Sequence, residues 1–99
     1  MATLAEVDDL LARLLRRVER HASYAEVMAE QRSSHLVRYD RSATVVEPSP
    51  GFRGAIFRAW GPKGWEEAGT SGLEADRLSD AADALIDRLG FGGASGDPP

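Results

Sequence analysis

Apolar positions recur along the chain with two different spacings. Leu4, Val7, Leu10, Leu11, Leu14, Leu15 and Val18 recur at three- and four-residue spacings, as in 4, 7, 11, 14 and 18. That spacing places them on one stripe of a helix and predicts a helix over residues 4–21. Thr3 and Glu6 have the capping-box spacing, so each side chain can satisfy a free backbone N–H at the helix start. Asp8 and Asp9 fall early and Arg16, Arg17 and Arg20 late, as the helix dipole favours.

From Ser23 the period drops to two. Ala25, Val27 and Ala29 alternate with Tyr24, Glu26, Met28, Glu30 and Arg32, the signature of a half-buried strand. Ser33-Ser34 marks a turn. In H-L-V-R-Y-D at 35–40, Val37 and Tyr39 share one face, Leu36 and Arg38 the other. Residues 43–47 hold Thr-Val-Val, a short strand, and Pro48-Ser49-Pro50-Gly51 reads as a loop. Ala55, Phe57 and Ala59 then alternate with Ile56, Arg58 and Trp60 up to the turn Gly61-Pro62-Lys63-Gly64, and residues 65–70 return. The pair predicts a β-hairpin.

Ser71 and Glu74 again have capping-box spacing, before a second stripe of Leu78, Ala81, Ala82, Leu85, Ile86 and Leu89. This predicts a helix over about 74–89, capped by Gly90. The expected architecture is α+β, in the order α-β-β-β-β-α. Two amphipathic helices pack on one face of a three- to four-stranded, mainly antiparallel sheet, burying both stripes. Residues 1–89 read as a single domain and residues 90–99, GFGGASGDPP, as a flexible Gly/Pro-rich tail.

Composition narrows the class. The chain has 99 residues, of which 42% are hydrophobic and 28% charged, the size and balance of one small globular domain. No apolar run approaches the roughly 18 residues of a membrane span, and the acidic start lacks the cationic opening of a signal peptide. Cysteine is absent, which removes disulfides and thiolate metal sites and makes the cytoplasm the expected compartment. Net charge is −4 and unevenly spread: residues 59–99 carry eight acids against Lys63, Arg77 and Arg88. That surplus disfavours general nucleic-acid binding, which rests on a basic face.

The chemistry-bearing residues form no recognisable catalytic set, and no catalytic, cofactor-binding or metal-ligating residue is assigned. His21 falls at a helix end and His35 opens a strand; neither belongs to an H-E-x-x-H pair. There is no G-x-S-x-G elbow. Glu66 and Glu67 are adjacent on a strand, so their side chains point to opposite faces and form no acid/base pair. Gly51, Gly54, Gly61 and Gly64 match no phosphate-loop spacing; they read as a turn plus a crowded position at Gly54. Phe52, Arg53, Phe57, Arg58, Trp60, Lys63 and Trp65 suggest a single-strand nucleic-acid surface. Phe57 and Trp60 fall on opposite faces, however, and core or interface aromatics are the stronger reading.

The order of the pieces carries a resemblance. Y-A-E-V-M-A-E-Q-R at 24–32 resembles the Y-A-[ED]-[VL]-x-x-E-x-R start of the first domain of TldD/PmbA-type peptidases. G-A-I-F-R at 54–58, Gly61 to Trp65 and A-G-T-S-G-L at 68–73 are similar to the glycine-led strand, turn, Trp and A-[ST]-[ST]-x-x-L that follow in that family. The resemblance covers roughly residues 5–89. Two departures are Glu66, where the family has a small residue, and a longer turn containing Pro62. The resemblance implies a non-catalytic module, because the family's metal-binding H-E-x-x-x-H-type helix lies in a later part of its longer chains. It further implies a cytoplasmic setting, a catalytic domain, subunit or second copy as protein partner, and a share in shaping peptide access. The alternative is a free-standing interaction or regulatory module.

Overall fold

The computed structural model describes residues 4–32, 34–49, 51 and 53–90. The Thr3 cap, Phe52 and residues 91–99 of the expected tail lie outside them. Helix α1 (Leu4–Glu19) is followed by strands β1 (Tyr24–Arg32), β2 (His35–Asp40), β3 (Thr44–Pro48), β4 (Ala55–Gly61) and β5 (Gly64–Thr70), and by helix α2 (Ala75–Leu89). The strands form one antiparallel sheet in the order β3-β2-β1-β4-β5. The α+β class and the packing of both helices on the sheet are as the periodicity predicts. The sheet has five strands rather than three to four. The short strand read at residues 43–47 is a full member of the sheet, and the Asp40 carboxylate sets its turn by accepting hydrogen bonds from the Ser42 and Ala43 backbone N–H groups at 2.8 and 2.9 Å. The chain reverses there, and residues 44–48 pair along β2.

The strand alternation separates two faces. Ala25, Val27, Ala29, Val37, Ala55, Phe57, Ala59 and Ala68 join Leu11, Leu14, Val18, Leu78, Ala82 and Leu85 in one core. Phe57 is the largest fully buried side chain, worth roughly 1.5–3 kcal/mol of hydrophobic stabilisation. Across the helix pair Arg17 is bonded to Asp83 at the surface, and the Tyr39 hydroxyl donates to Asp8 of α1 at 2.7 Å.

Helix ends depart from the sequence reading. Helix α1 stops at Glu19, not residue 21; Arg20 and His21 instead donate to the carbonyls of Arg17 and Val18, a tightened last turn. Ser71 does not cap α2. The N-cap is Glu74, in extended conformation and with no side-chain cap bond, because Gly72 at φ 93° turns the chain between the two residues. Gly90 does close α2, with its N–H donating to Ile86 at φ 75°.

The connection from β3 to β4 crosses the ends of β2 and β1. Ser49 N–H donates to the Ser34 carbonyl at 3.0 Å and its hydroxyl to Glu30 at 2.8 Å. Glu30 N–H then receives the incoming chain through the Gly54 carbonyl at 2.9 Å.

Candidate functional site

The sheet face opposite the helices carries the polar alternates, and three strands bring their aromatics together there. Tyr24 of β1 stands opposite Trp60 of β4, which stands opposite Trp65 of β5. Trp60 and Trp65 meet edge-to-face at 5.3 Å between centroids, Tyr24 and Trp65 at 6.1 Å. Such pairs add about 0.5–1.5 kcal/mol each beyond area burial. Arg58 lies over the Trp65 ring at 4.0 Å and Arg41 over Tyr24 at 5.4 Å.

A carboxylate sits inside this row. Glu26 is 6% exposed although it belongs to the helix-free face. Arg58 pairs with it at 3.3 Å, and the Tyr24 hydroxyl lies 3.3 Å from both Glu26 and Asp40. A buried charge held by a cation and a hydroxyl is a satisfied charge. Burial first, and then Glu26 and Asp40, push the Tyr24 hydroxyl up to about 12. The Asp40 carboxyl is held below its ordinary value, chiefly by the Ser42 backbone N–H. Further along the face, Arg38 pairs with Glu47 at 3.6 Å while its Nε is buried without a partner.

The residues weighed for chemistry are scattered. His21 borders Ile86 and Asp87 beside the end of α2, and His35 is exposed with its Nδ1 2.9 Å from the Ser34 hydroxyl. Among the described residues no group of three or more His, Asp or Glu is placed to hold a metal ion. Glu66 and Glu67 point to opposite faces, as their adjacency requires. Of the aromatic–basic set, Phe57 is in the core and Arg53 in an exposed loop, whereas Arg58, Trp60 and Trp65 do converge. Sequence reasoning missed the part played by Tyr24, Glu26 and Asp40. Only the β1–β4 and β1–β2 registers bring those residues to the tryptophans.

A second feature lies at the sheet's edge. A cleft of about 600 Å³ runs between β5 and α2, lined among others by Glu67, Gly69, Arg77, Asp80, Ala84 and Arg88. Arg88 bridges it, donating to the Glu67 carbonyl, and Arg77 donates to the Ser71 carbonyl at 3.1 Å.

No helix among the described residues is long and apolar enough to cross a membrane. Comparison with protein-family models, with curated proteins and with solved structures finds no match to the chain.

Proposed function

We propose that this chain is a non-catalytic packing module of the TldD/PmbA type. In this reading it docks on a catalytic domain or partner subunit in the cytoplasm and helps shape the path by which peptides reach a metal centre held elsewhere. One observation carries the reading. The residues of its two separated motif pieces, Tyr24 and Glu26 of Y-A-E and Trp65 after the turn, converge on one helix-free face. Arg58 joins them by pairing with Glu26 and stacking on Trp65. A rigid face of aromatics with fixed charges suits an interface, where tryptophan, tyrosine and arginine dominate binding energy.

The test is capture: the full chain, immobilised, is offered a TldD-type catalytic domain as bait. Saturable binding supports the reading and its absence removes it. The same chain with zinc should cleave no peptide; chelator-sensitive cleavage would overturn the non-catalytic role.

The second reading, a free-standing interaction module, is favoured by the sheet's β3 edge. Val45 and Val46 are 38% and 57% exposed there. Capture of a protein partner on these exposed valine side chains, with no peptidase bound, would support it.

A further inference from the structure

The ladder geometry fixes which backbone groups look outward along β5. The Glu30 N–H to Gly54 carbonyl and Ser23 N–H to Trp60 carbonyl bonds show that Gly54 and Trp60 turn their carbonyls toward β1. In an antiparallel ladder the direction alternates residue by residue. Ala55, Phe57 and Ala59 therefore bond toward β5, and their partners Thr70, Ala68 and Glu66 bond back. Trp65, Glu67 and Gly69 are left with N–H and C=O groups aimed out of the sheet, and of these Glu67 and Gly69 line the cleft beside α2.

Three features of that cleft suit one more strand. Gly69 has no side chain, so the cleft reaches Ile56 on the neighbouring strand. Ala81 and Ala84 keep the α2 wall low. Arg88 already supplies the Glu67 carbonyl with the donor that a neighbouring strand would supply. The Glu67 N–H and both Gly69 backbone groups have no such stand-in among the described residues. The β3 edge is different. The Asp40 N–H to Ala43 carbonyl bond places Thr44, Val46 and Pro48 outward by the same alternation, and Pro48 has no N–H to give. The cavity of about 320 Å³ beside α1 reaches β3 only at Thr44.

We infer that the β5–α2 cleft binds an extended peptide segment as a sixth strand, recognised mainly through its backbone. Its N–H groups displace the Arg88 guanidinium from Glu67 and its carbonyls accept from Glu67 and Gly69. Side chains turned toward the helix lie over Ala81 and Ala84, which admit small or aliphatic residues. The volume of about 600 Å³ is within the range of ligand clefts. This deepens the reading above by placing a peptide on the module, yet it needs no catalytic partner to be tested.

The probe is a fluorescein-labelled, acetylated peptide Thr-Val-Thr-Val-Thr-Glu, titrated by anisotropy with the full chain. Saturable binding is expected, with loss of binding when the peptide is N-methylated at every residue. Asp80→Trp, at an exposed position on the cleft wall, and Glu67→Pro, which removes an outward N–H, should each weaken binding about tenfold. Val46→Pro on the other edge should leave it unchanged. Circular dichroism checks the fold of each variant, and Asp80→Trp stands alone if Glu67→Pro fails to fold. Binding that survives N-methylation or Asp80→Trp, binding lost with Val46→Pro, or no binding of the unmodified peptide at millimolar concentration each overturns the inference. A chain that captures a catalytic domain but no peptide loses only the cleft; one that binds the peptide but captures no catalytic domain loses only the family reading.

Discussion

Gly54 stands against Thr70 so closely that a Cβ built on it would overlap the Thr70 carbonyl oxygen and lie 2.8 Å from the Gly72 backbone nitrogen. Its φ is 113°, a region closed to most side chains. The atoms it would strike are backbone and have no rotamer to yield. Gly51 also has a positive φ, 96°, but nothing among the described residues lies within 4 Å of a Cβ there. Gly51→Ala should therefore cost only the dihedral, roughly 1–2 kcal/mol. Gly54→Ala adds the clash and should cost at least about 2 kcal/mol more than Gly51→Ala. Urea unfolding of both variants checks this; equal costs would mean that β4 and the Thr70–Gly72 turn are not locked together here.

Arg58→Ala should destabilise the domain more than its 37% side-chain exposure suggests. It leaves the Glu26 carboxylate, itself 7% exposed by side chain, with the Tyr24 hydroxyl as its remaining side-chain partner among the described residues. Losing a hydrogen bond to a buried charge costs about 1.5–3 kcal/mol, reduced here by solvent at the arginine. Arg58→Ala in a Glu26→Gln background should cost less, because no charge is stranded. A double-mutant cycle by chemical denaturation with no coupling would show that the pair contributes nothing.

Acid should loosen the β2–β3 turn. The Asp40 carboxyl is held below its ordinary value in the fold, so its contribution is present above that value, near pH 4. It is lost as pH falls through the lowered value. Asp40→Asn keeps an acceptor for Ser42 and Ala43 but cannot titrate, so its stability should vary less between pH 5 and 2 than the parent's. Thermal melts across that window give the comparison, and parallel pH profiles would remove Asp40 from the acid response.

Much of this fold is legible in the sequence because periodicity reports faces. The split of Val27 from Glu26, and of Phe57 from Trp60, needs only a period of two. Strand neighbours are another matter. Nothing local says that β4 inserts beside β1 rather than following β3, so the meeting of Tyr24 with Trp65 is invisible until the β1–β4 register is known. The Ser71–Glu74 capping signal failed for a local reason: spacing does not reveal that Gly72 turns the chain at φ 93° and moves the helix start to Ala75. The burial of Glu26 on a helix-free face arises from Arg58 and Tyr24, which are 32 and 2 residues away in sequence.

Alkali should erode stability through two tyrosines, Tyr24 on the helix-free face and Tyr39 beneath α1. The Tyr24 hydroxyl is raised from 10.0 to about 12, and Tyr39 is raised as well, by burial and by its bond to Asp8. A raised value means the folded state holds its proton longer than the unfolded chain. The contribution is thus complete below pH 10 and lost as pH climbs toward 12. Tyr24→Phe and Tyr39→Phe should each flatten the decline seen in denaturation midpoints between pH 9 and 11. An unchanged slope in both would assign the alkaline response to other groups.

Trp65→Ala separates interface from core. Trp65 is 37% exposed and lies on the helix-free face, whereas Phe57 is fully buried in the core on the helix side of the sheet. Phe57→Ala should cost about 3–5 kcal/mol and threaten the fold itself. Trp65→Ala loses part of an aromatic row and its contact with Arg58, so about 1–2 kcal/mol is expected and the domain stays folded. If the aromatic face docks a catalytic partner, the smaller structural loss should bring the larger functional one, since central tryptophans carry interface energy. Capture of the catalytic domain should then fall at least tenfold in Trp65→Ala at unchanged secondary structure. Full capture by that variant would leave the aromatic row as a device for holding β1, β4 and β5 together, and would move the search for a docking surface to the sheet's edges.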